Sequence, residues 1–222
     1  MTRLNLLVGG PKQLYPADWQ QFPGAWVGVD RGTWHLLEAG IKPLFAVGDF
    51  DSLTEAEHRQ VLQQVAEVHS AKPEKDETDT EMAVRLAFVA HHATQICVVG
   101  ATGGRIDHLL ANLLLPTQPR FAAYTNHITM VDAQNHIQFY QPGRYQLQAL
   151  PGFRYLGIVP LTGIAHLEIQ GAKYPLHDWS NPTPFSWASN EFLPGQKTVI
   201  SWSSGVVAVI QSRDRNGQQQ DN

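Results

Sequence analysis

Short apolar runs recur through the first half of the chain, at residues 4–8, 25–29, 44–47, 67–70, 95–99 and 121–124. Helical patterns lie between them: 33–39, stopped by Gly40, then 54–65, then 80–92 with Ala83, Leu86, Ala87 and Ala90 on one face. Uniform apolar runs alternating with helices predict an α/β domain whose mainly parallel sheet is covered on both sides. Pro116-Thr117-Gln118-Pro119 closes the last helix, and beyond Tyr124 the helical period disappears. Runs at 128–131, 136–140, 145–150, 155–159, 165–169, 198–202 and 206–211 follow, broken by turns. Regular short strands with Gly and Pro turns predict an antiparallel sandwich or barrel. The expected organisation is an α/β domain over 1–125, an all-β domain over 126–215 and a flexible polar tail over 216–222.

In parallel sheets, ligands bind at the carboxyl ends of the strands, so the loop after each strand is where chemistry is expected. After the first comes Gly9-Gly10-Pro11, able to bring backbone amides to a phosphate or merely to make a tight turn. The second is followed by Asp30-Arg31-Gly32, an acid and a base where a nucleotide would lie. Gly48-Asp49-Phe50-Asp51-Ser52 follows the third. In extended geometry Asp49 and Asp51 face the same side, and two such charges about 4 Å apart repel by roughly 4 kcal/mol at an effective dielectric near 20. The pair calls for a cation or a shared proton, and hard divalent ions such as magnesium suit oxygen ligands. The alternative is a polar turn in which Ser52 and Glu55 form a capping box.

The fourth loop carries Lys72 to Asp79, ending in a Thr78/Glu81 capping-box pattern, with Asp76 and Asp79 placed to join a metal cluster. The fifth, Gly100 to His108, is a glycine-rich turn feeding a helix N-terminus, where free amides and the helix dipole favour an anion and Arg105 adds a planar fork. Neither Gly-x-x-x-x-Gly-Lys-Ser/Thr nor Gly-x-Gly-x-x-Gly after the first strand is present, so any nucleotide is bound by another scheme.

Bulk properties narrow the class. The 222 residues are 43% hydrophobic and 16% charged, an ordinary globular composition. A net charge of -4 offers no basic surface for nucleic acid or an anionic membrane. No signal-peptide core follows Met1-Thr2-Arg3, and no apolar run approaches the ~20 residues that span a bilayer. The single cysteine, Cys97, sits in an apolar run and reads as a buried structural thiol, so a cytoplasmic protein is expected. The ten histidines show no metal-binding spacing, and His91-His92 reads as a helix end.

Taken together, Asp30-Arg31-Gly32, Gly48-Asp49-Phe50-Asp51-Ser52, Lys75-Asp76-Glu77-Thr78-Asp79 and Gly103-Gly104-Arg105-Ile106-Asp107-His108 resemble, in order and spacing, the motifs of the thiamine pyrophosphokinase family. The resemblance implies transfer of the pyrophosphoryl group of ATP to the thiamine hydroxyl, giving thiamine diphosphate and AMP. It implies one or two magnesium ions on Asp49, Asp51, Asp76 and Asp79, with Asp51 and Asp79 as direct ligands and Asp49 or Asp76 acting through water. Asp30, Arg31, Lys75, Thr78, Gly103, Gly104 and Arg105 would serve the nucleotide and its phosphates, and Asp107 with His108 the thiamine.

The family's second domain is a β-sandwich that pairs two subunits and helps hold thiamine. Its two recognisable stretches are similar to 171–176, containing Tyr174, and 186–191, containing Ser189 and Asn190. A homodimer is therefore expected. From the residues alone, Ser189-Asn190 is a loop pair able to hydrogen-bond a pyrimidine or simply to turn the chain. Tyr174, Trp179 and Trp187 either face a cationic ring, worth ~0.5–2 kcal/mol, or fill the sandwich core. Two rivals remain at this point: a magnesium-dependent phosphatase with Asp49 as nucleophile and Asp51 as acid, and a non-catalytic nucleotide or thiamine sensor.

Overall fold

The structure is a computed structural model that describes residues 2–70 and 77–214. Lys75, Asp76 and the expected tail at 216–222 lie outside the described residues. The chain divides into two compact units, one of residues 1–115 with 127–133, the other of 116–126 with 134–222.

The first unit is the expected α/β layer arrangement. Its strands are β1 (Arg3–Leu7), β2 (Ala25–Val29), β3 (Ala46–Val47), β4 (Val68–His69), β5 (Gln95–Val99) and β6 (Ile128–Val131). Its helices are α1 (Arg31–Glu38), α2 (Glu55–Gln64), α3 (Asp79–Val89) and α4 (Ile106–Leu114). The strands lie in the order β6-β5-β1-β2-β3-β4, and every pairing is parallel. In β1, β2 and β5 all but the first residue is buried, as strands covered on both faces require. Leu7, Trp26, Leu36, Cys97 and Val99 form one core cluster, and Ala46, Phe50, Val61 and Val65 another.

Local chemistry sets the helix starts. Thr78 accepts the Glu81 N–H at 3.2 Å while Glu81 accepts the Thr78 N–H at 2.7 Å, the expected capping box. The box that opens α2 is formed by Thr54 and Glu57, not by Ser52 and Glu55. Ser52 instead lies in the turn that follows the third strand. The helix ends at Val89, so His91 and His92 follow it as expected, and His91 stacks on Phe45 with ring centroids 4.3 Å apart.

Two segments differ from the sequence expectation. Residues 121–124 are not a strand; they lie in a 3-10 helix, Pro119–His127. Four apolar residues carry too little periodicity to separate strand from helix, and Pro119 suits a first helical turn. The sixth parallel strand is β6, expected instead among the antiparallel runs; it pairs with β5 from Ile96↔Ile128 to Val99↔Val131.

The second unit is a β-sandwich formed by residues after 134, joined by the 3-10 segment at 119–126. Its strands are β7 (Asn135–Tyr140), β8 (Gly143–Leu147), β9 (Tyr155–Pro160), β10 (Ile164–Gln170), β11 (Leu176–Asn181), β12 (Trp187–Glu191), β13 (Thr198–Trp202) and β14 (Val207–Ser212). Within it, β12-β9-β14-β7 form one antiparallel run and β11-β10-β13-β8 the other. Leu156, Ile158, Val207 and Val209 from the first meet Leu147, Leu167, Ile169, Ile200 and Trp202 from the second in one core. Strands β11 and β12 escaped the pattern because their pairings shift register and their sequences are largely polar.

Leu167 is fully buried in that core. Leu167→Ala is expected to cost about 2–5 kcal/mol through lost burial and a residual cavity, read as a lowered urea midpoint with an unchanged slope.

Candidate active site

The strand order reverses at the β1–β5 pair: β2, β3 and β4 extend to one side of β1, and β5 and β6 to the other. The loops leaving β1 and β5 therefore lie at the switch point, where α/β sheets bind their ligands. Both loops are glycine turns in close contact. A Cβ on Gly10 would lie 2.1 Å from the Gly100 carbonyl oxygen, so no other residue fits there. Gly103 and Gly104 follow with φ of 76° and 70°, and Arg105 is the residue before α4, with no capping hydrogen bond from its side chain. Thr102 donates to Asp132 at 2.6 Å and buried Asn112 donates to the Ala101 carbonyl at 3.0 Å, fastening the turn from beneath.

The acidic loops meet beside it. Asp30 leaves β2 with φ 46° and starts α1. Its carboxylate lies against Gly48, where a Cβ would come within 2.0 Å of the Asp30 Oδ1. Burial pushes the Asp30 carboxyl up to about 7, reinforced by the charges of Asp79 and Asp49 and by a hydrogen bond with Asp79, against a lowering contribution from the Phe50 backbone. Oδ1 of Asp30 is buried without a hydrogen-bond partner. The structure thus brings Asp30, Asp49 and Asp79 together from the ends of β2 and β3 and the start of α3.

The extended geometry expected for Asp49 and Asp51 is not found. Phe50 adopts φ 59° and drops its ring into the core with Val61 and Val65, which folds the segment into a turn. The Asp51 N–H then donates to Asp49 Oδ1 at 3.0 Å, and both carboxylates remain exposed. Arg31 braces this turn by donating to the Ser52 carbonyl and, at 3.3 Å, to Glu57. Glu57 is a partner that motif reading missed; its place in the α2 capping box was the available signal.

At the α4 N-terminus, Arg105 pairs with Asp107. Its guanidinium reaches Asp107 at 2.6 and 3.2 Å and holds that carboxyl below the usual range. Asp107 also accepts the His108 N–H at 3.0 Å. All three side chains are exposed.

In the β unit, Asn190 is buried and lies in β12, not in a loop. It accepts the Tyr174 N–H at 2.9 Å and donates to the Tyr174 carbonyl at 2.8 Å. Its amide thereby fixes the backbone beneath the Tyr174 ring, which is 57% exposed. Ser189 precedes it with φ 60° at the register shift. Trp187 packs edge-on against Trp179 at 5.3 Å and contacts Phe185 at 5.0 Å.

Among the described residues, no group of three or more His, Cys, Asp or Glu side chains is disposed to hold a metal ion by itself. The carboxylates nevertheless fit a divalent cation: they repel one another, and a buried Asp30 oxygen has no donor. Also among the described residues, no helix is long and apolar enough to cross a membrane.

Comparison with known proteins gives a consistent result. Residues 19–128 match the family described as "Thiamin pyrophosphokinase, catalytic domain", and residues 144–207 match "Thiamin pyrophosphokinase, vitamin B1 binding domain". The chain is 36% identical over 218 residues to the thiamine pyrophosphokinase of Bacillus subtilis, covering 96% of this chain and 100% of that protein. The crystal structure of a Lactobacillus plantarum protein is similar with a TM-score of 0.89 and 45% identity, covering 97% of this chain and 100% of the other. That of a thiamin pyrophosphokinase family protein from Enterococcus faecalis is similar with a TM-score of 0.89 and 41% identity, covering 96% and 100%.

The raised Asp30 carboxyl sets a pH dependence. The folded protein holds a proton there that the unfolded chain has released, so stability falls as pH rises from about 4 to about 7. Urea midpoints in EDTA are expected to fall across that window in the wild type and less steeply in Asp30→Asn.

Proposed function

The chain belongs to the thiamin pyrophosphokinase family, and from that premise we propose which of its residues carry the reaction. The enzyme transfers the pyrophosphoryl group of ATP to thiamine, giving thiamine diphosphate and AMP. The hydroxyl oxygen attacks the β-phosphorus and gives up its proton to solvent, the bond from that phosphorus to the α-phosphate bridging oxygen breaks, and AMP leaves with the electron pair. Catalysis of this kind depends on alignment and on neutralising charge. The observation that carries the assignment is the convergence of Asp49 and Asp79 on Asp30, in the same parallel-sheet unit as the glycine turn that follows β5 and ends at Arg105.

Asp49, Asp51 and Asp79, with Asp76 from outside the described residues, would hold magnesium. Magnesium, when bound, supplies positive charge to the phosphate oxygens. Lys75 and Arg105 neutralise the phosphates, and the amides of Gly103 and Gly104 donate to them. For Arg105 this requires exchanging Asp107 for phosphate, which frees the Asp107 carboxylate, with His108, to orient the thiamine hydroxyl. Asp30 lies on the nucleotide side, and Arg31 acts by clamping the turn at Ser52. Thr78 acts by starting the helix that presents Asp79. In the β unit, Tyr174 and Ser189 are assigned to thiamine, with Asn190 holding Tyr174 in place. A homodimer belongs to the same reading, supported by the resemblance of the β unit to the family's subunit-pairing domain. The comparisons lend no support to the phosphatase or sensor readings.

Incubation with ATP, magnesium and thiamine is expected to yield AMP and thiamine diphosphate in equal amounts; free phosphate as the product would overturn the assignment. EDTA is expected to stop the reaction and excess magnesium to restore it. Asp51→Asn is expected to keep the fold and lower turnover at least ~100-fold, since charge stabilisation by a metal is worth several kcal/mol. Wild-type turnover in that folded variant would remove Asp51 from the site.

A further inference from the structure

Tyr15 was not singled out by any motif, yet it is 7% exposed and its hydroxyl meets three polar groups. It lies 3.2 Å from the Val8 carbonyl, 3.0 Å from the Gly10 carbonyl and 2.8 Å from Nδ1 of His35. The hydroxyl has one proton to give. If that proton went to His35, both carbonyls would lose this donor. The arrangement that satisfies more groups has His35 donating from Nδ1 to the Tyr15 oxygen, with Tyr15 donating to Gly10. Burial, with the charge of Lys12 next, lowers His35 to about 4, so its ring is neutral at working pH and that tautomer is available. The chain from His35 to Gly10 thus joins α1 to the turn leaving β1.

The same tyrosine abuts the second turn. A Cβ on Gly100 would lie 2.9 Å from Tyr15 Cε1 and 2.7 Å from the Val8 carbonyl oxygen. One residue earlier, the Leu14 side chain would be 2.4 Å from a Cβ on Gly103. The Leu14 carbonyl accepts the Ala133 N–H at 2.7 Å, and Lys12 pairs with Glu38 at the end of α1. Residues 9–15 are therefore held against the turn at 100–104 from both directions, where the strand order reverses.

We propose that Tyr15 and His35 are positioning residues for nucleotide phosphates, setting the two glycine turns through the His35–Tyr15–Gly10 relay without touching the substrate. The proposal rests on the reading of those turns as the phosphate side of the site. Tyr15→Phe retains the ring and removes the relay. In the full-length enzyme with magnesium, it is expected to raise the KM for ATP about fivefold while kcat and the KM for thiamine stay within about twofold, the scale of one lost hydrogen bond. His35→Leu should reproduce the rise, and His35→Asn, whose amide N–H stands where Nδ1 does, should recover most of it.

Melting with ATP and magnesium but no thiamine provides a readout independent of turnover. The ATP-dependent rise in melting temperature should be smaller in Tyr15→Phe than in the wild type. An unchanged KM for ATP, or an equal loss in kcat and in both KM values with a lower melting temperature of the free protein, would overturn the proposal. A wild type that makes no AMP would instead sink the assigned reaction, and the ATP-dependent melting shift would still test the relay.

Discussion

Like charges gathered at the end of a parallel sheet are the constraint on which the catalytic unit depends. Asp30 follows β2, Asp49 follows β3 and Asp79 opens α3, and the charges of Asp79 and Asp49 both act on the buried Asp30. Packing alone opposes this meeting, because burial and mutual repulsion both disfavour ionised carboxylates. The surrounding structure supplies the compensation in small local pieces. The Asp51 N–H bonds Asp49, Arg31 ties the turn to Glu57, and the Thr78 box fixes where α3 begins. Burial and the neighbouring charges still leave the Asp30 carboxyl raised to about 7, so the compensation is incomplete.

Much of this was legible in the residue pattern because parallel strands are buried on both faces. Runs such as those at 25–29 and 95–99 need no alternation to be recognised, and the polar groups after each stand out against them. The positions of Asp30, Asp49 and Asp79 followed from strand ends and topology rules. What the pattern missed depends on a single backbone angle or a distant partner. Phe50 reads as an ordinary apolar residue between two acids; its left-handed φ, set by where its ring is buried, decides how those acids are displayed. Tyr15 reads as one aromatic among several near the N-terminus, and its role appears only when His35, twenty residues on, lies beside it.

The β unit was less legible for a related reason. Its core strands alternate clearly, as in β9, where every second residue is buried. Strands β11 and β12 do not, since each carries a register shift and a residue with positive φ, Asp178 or Ser189. Irregular edges of this kind aim side chains away from the ladder. Their aromatic residues, Trp179 and Trp187, pack against the sandwich core, so these strands are held by side-chain packing where the polar sequence gives no alternation to read.

The contact between Asp30 and Gly48 has a consequence for how such a chain can change over generations. A side chain at 48 would occupy the space of the Asp30 carboxylate, and the backbone there, at φ 150°, already disfavours one. A lineage that keeps the acid is therefore committed to the glycine. One that discards the acid gains room at 48 but still faces the backbone barrier. The two positions form a one-way latch: the route out of this arrangement opens through residue 30 first, and a chain that has then filled position 48 cannot return by a single step.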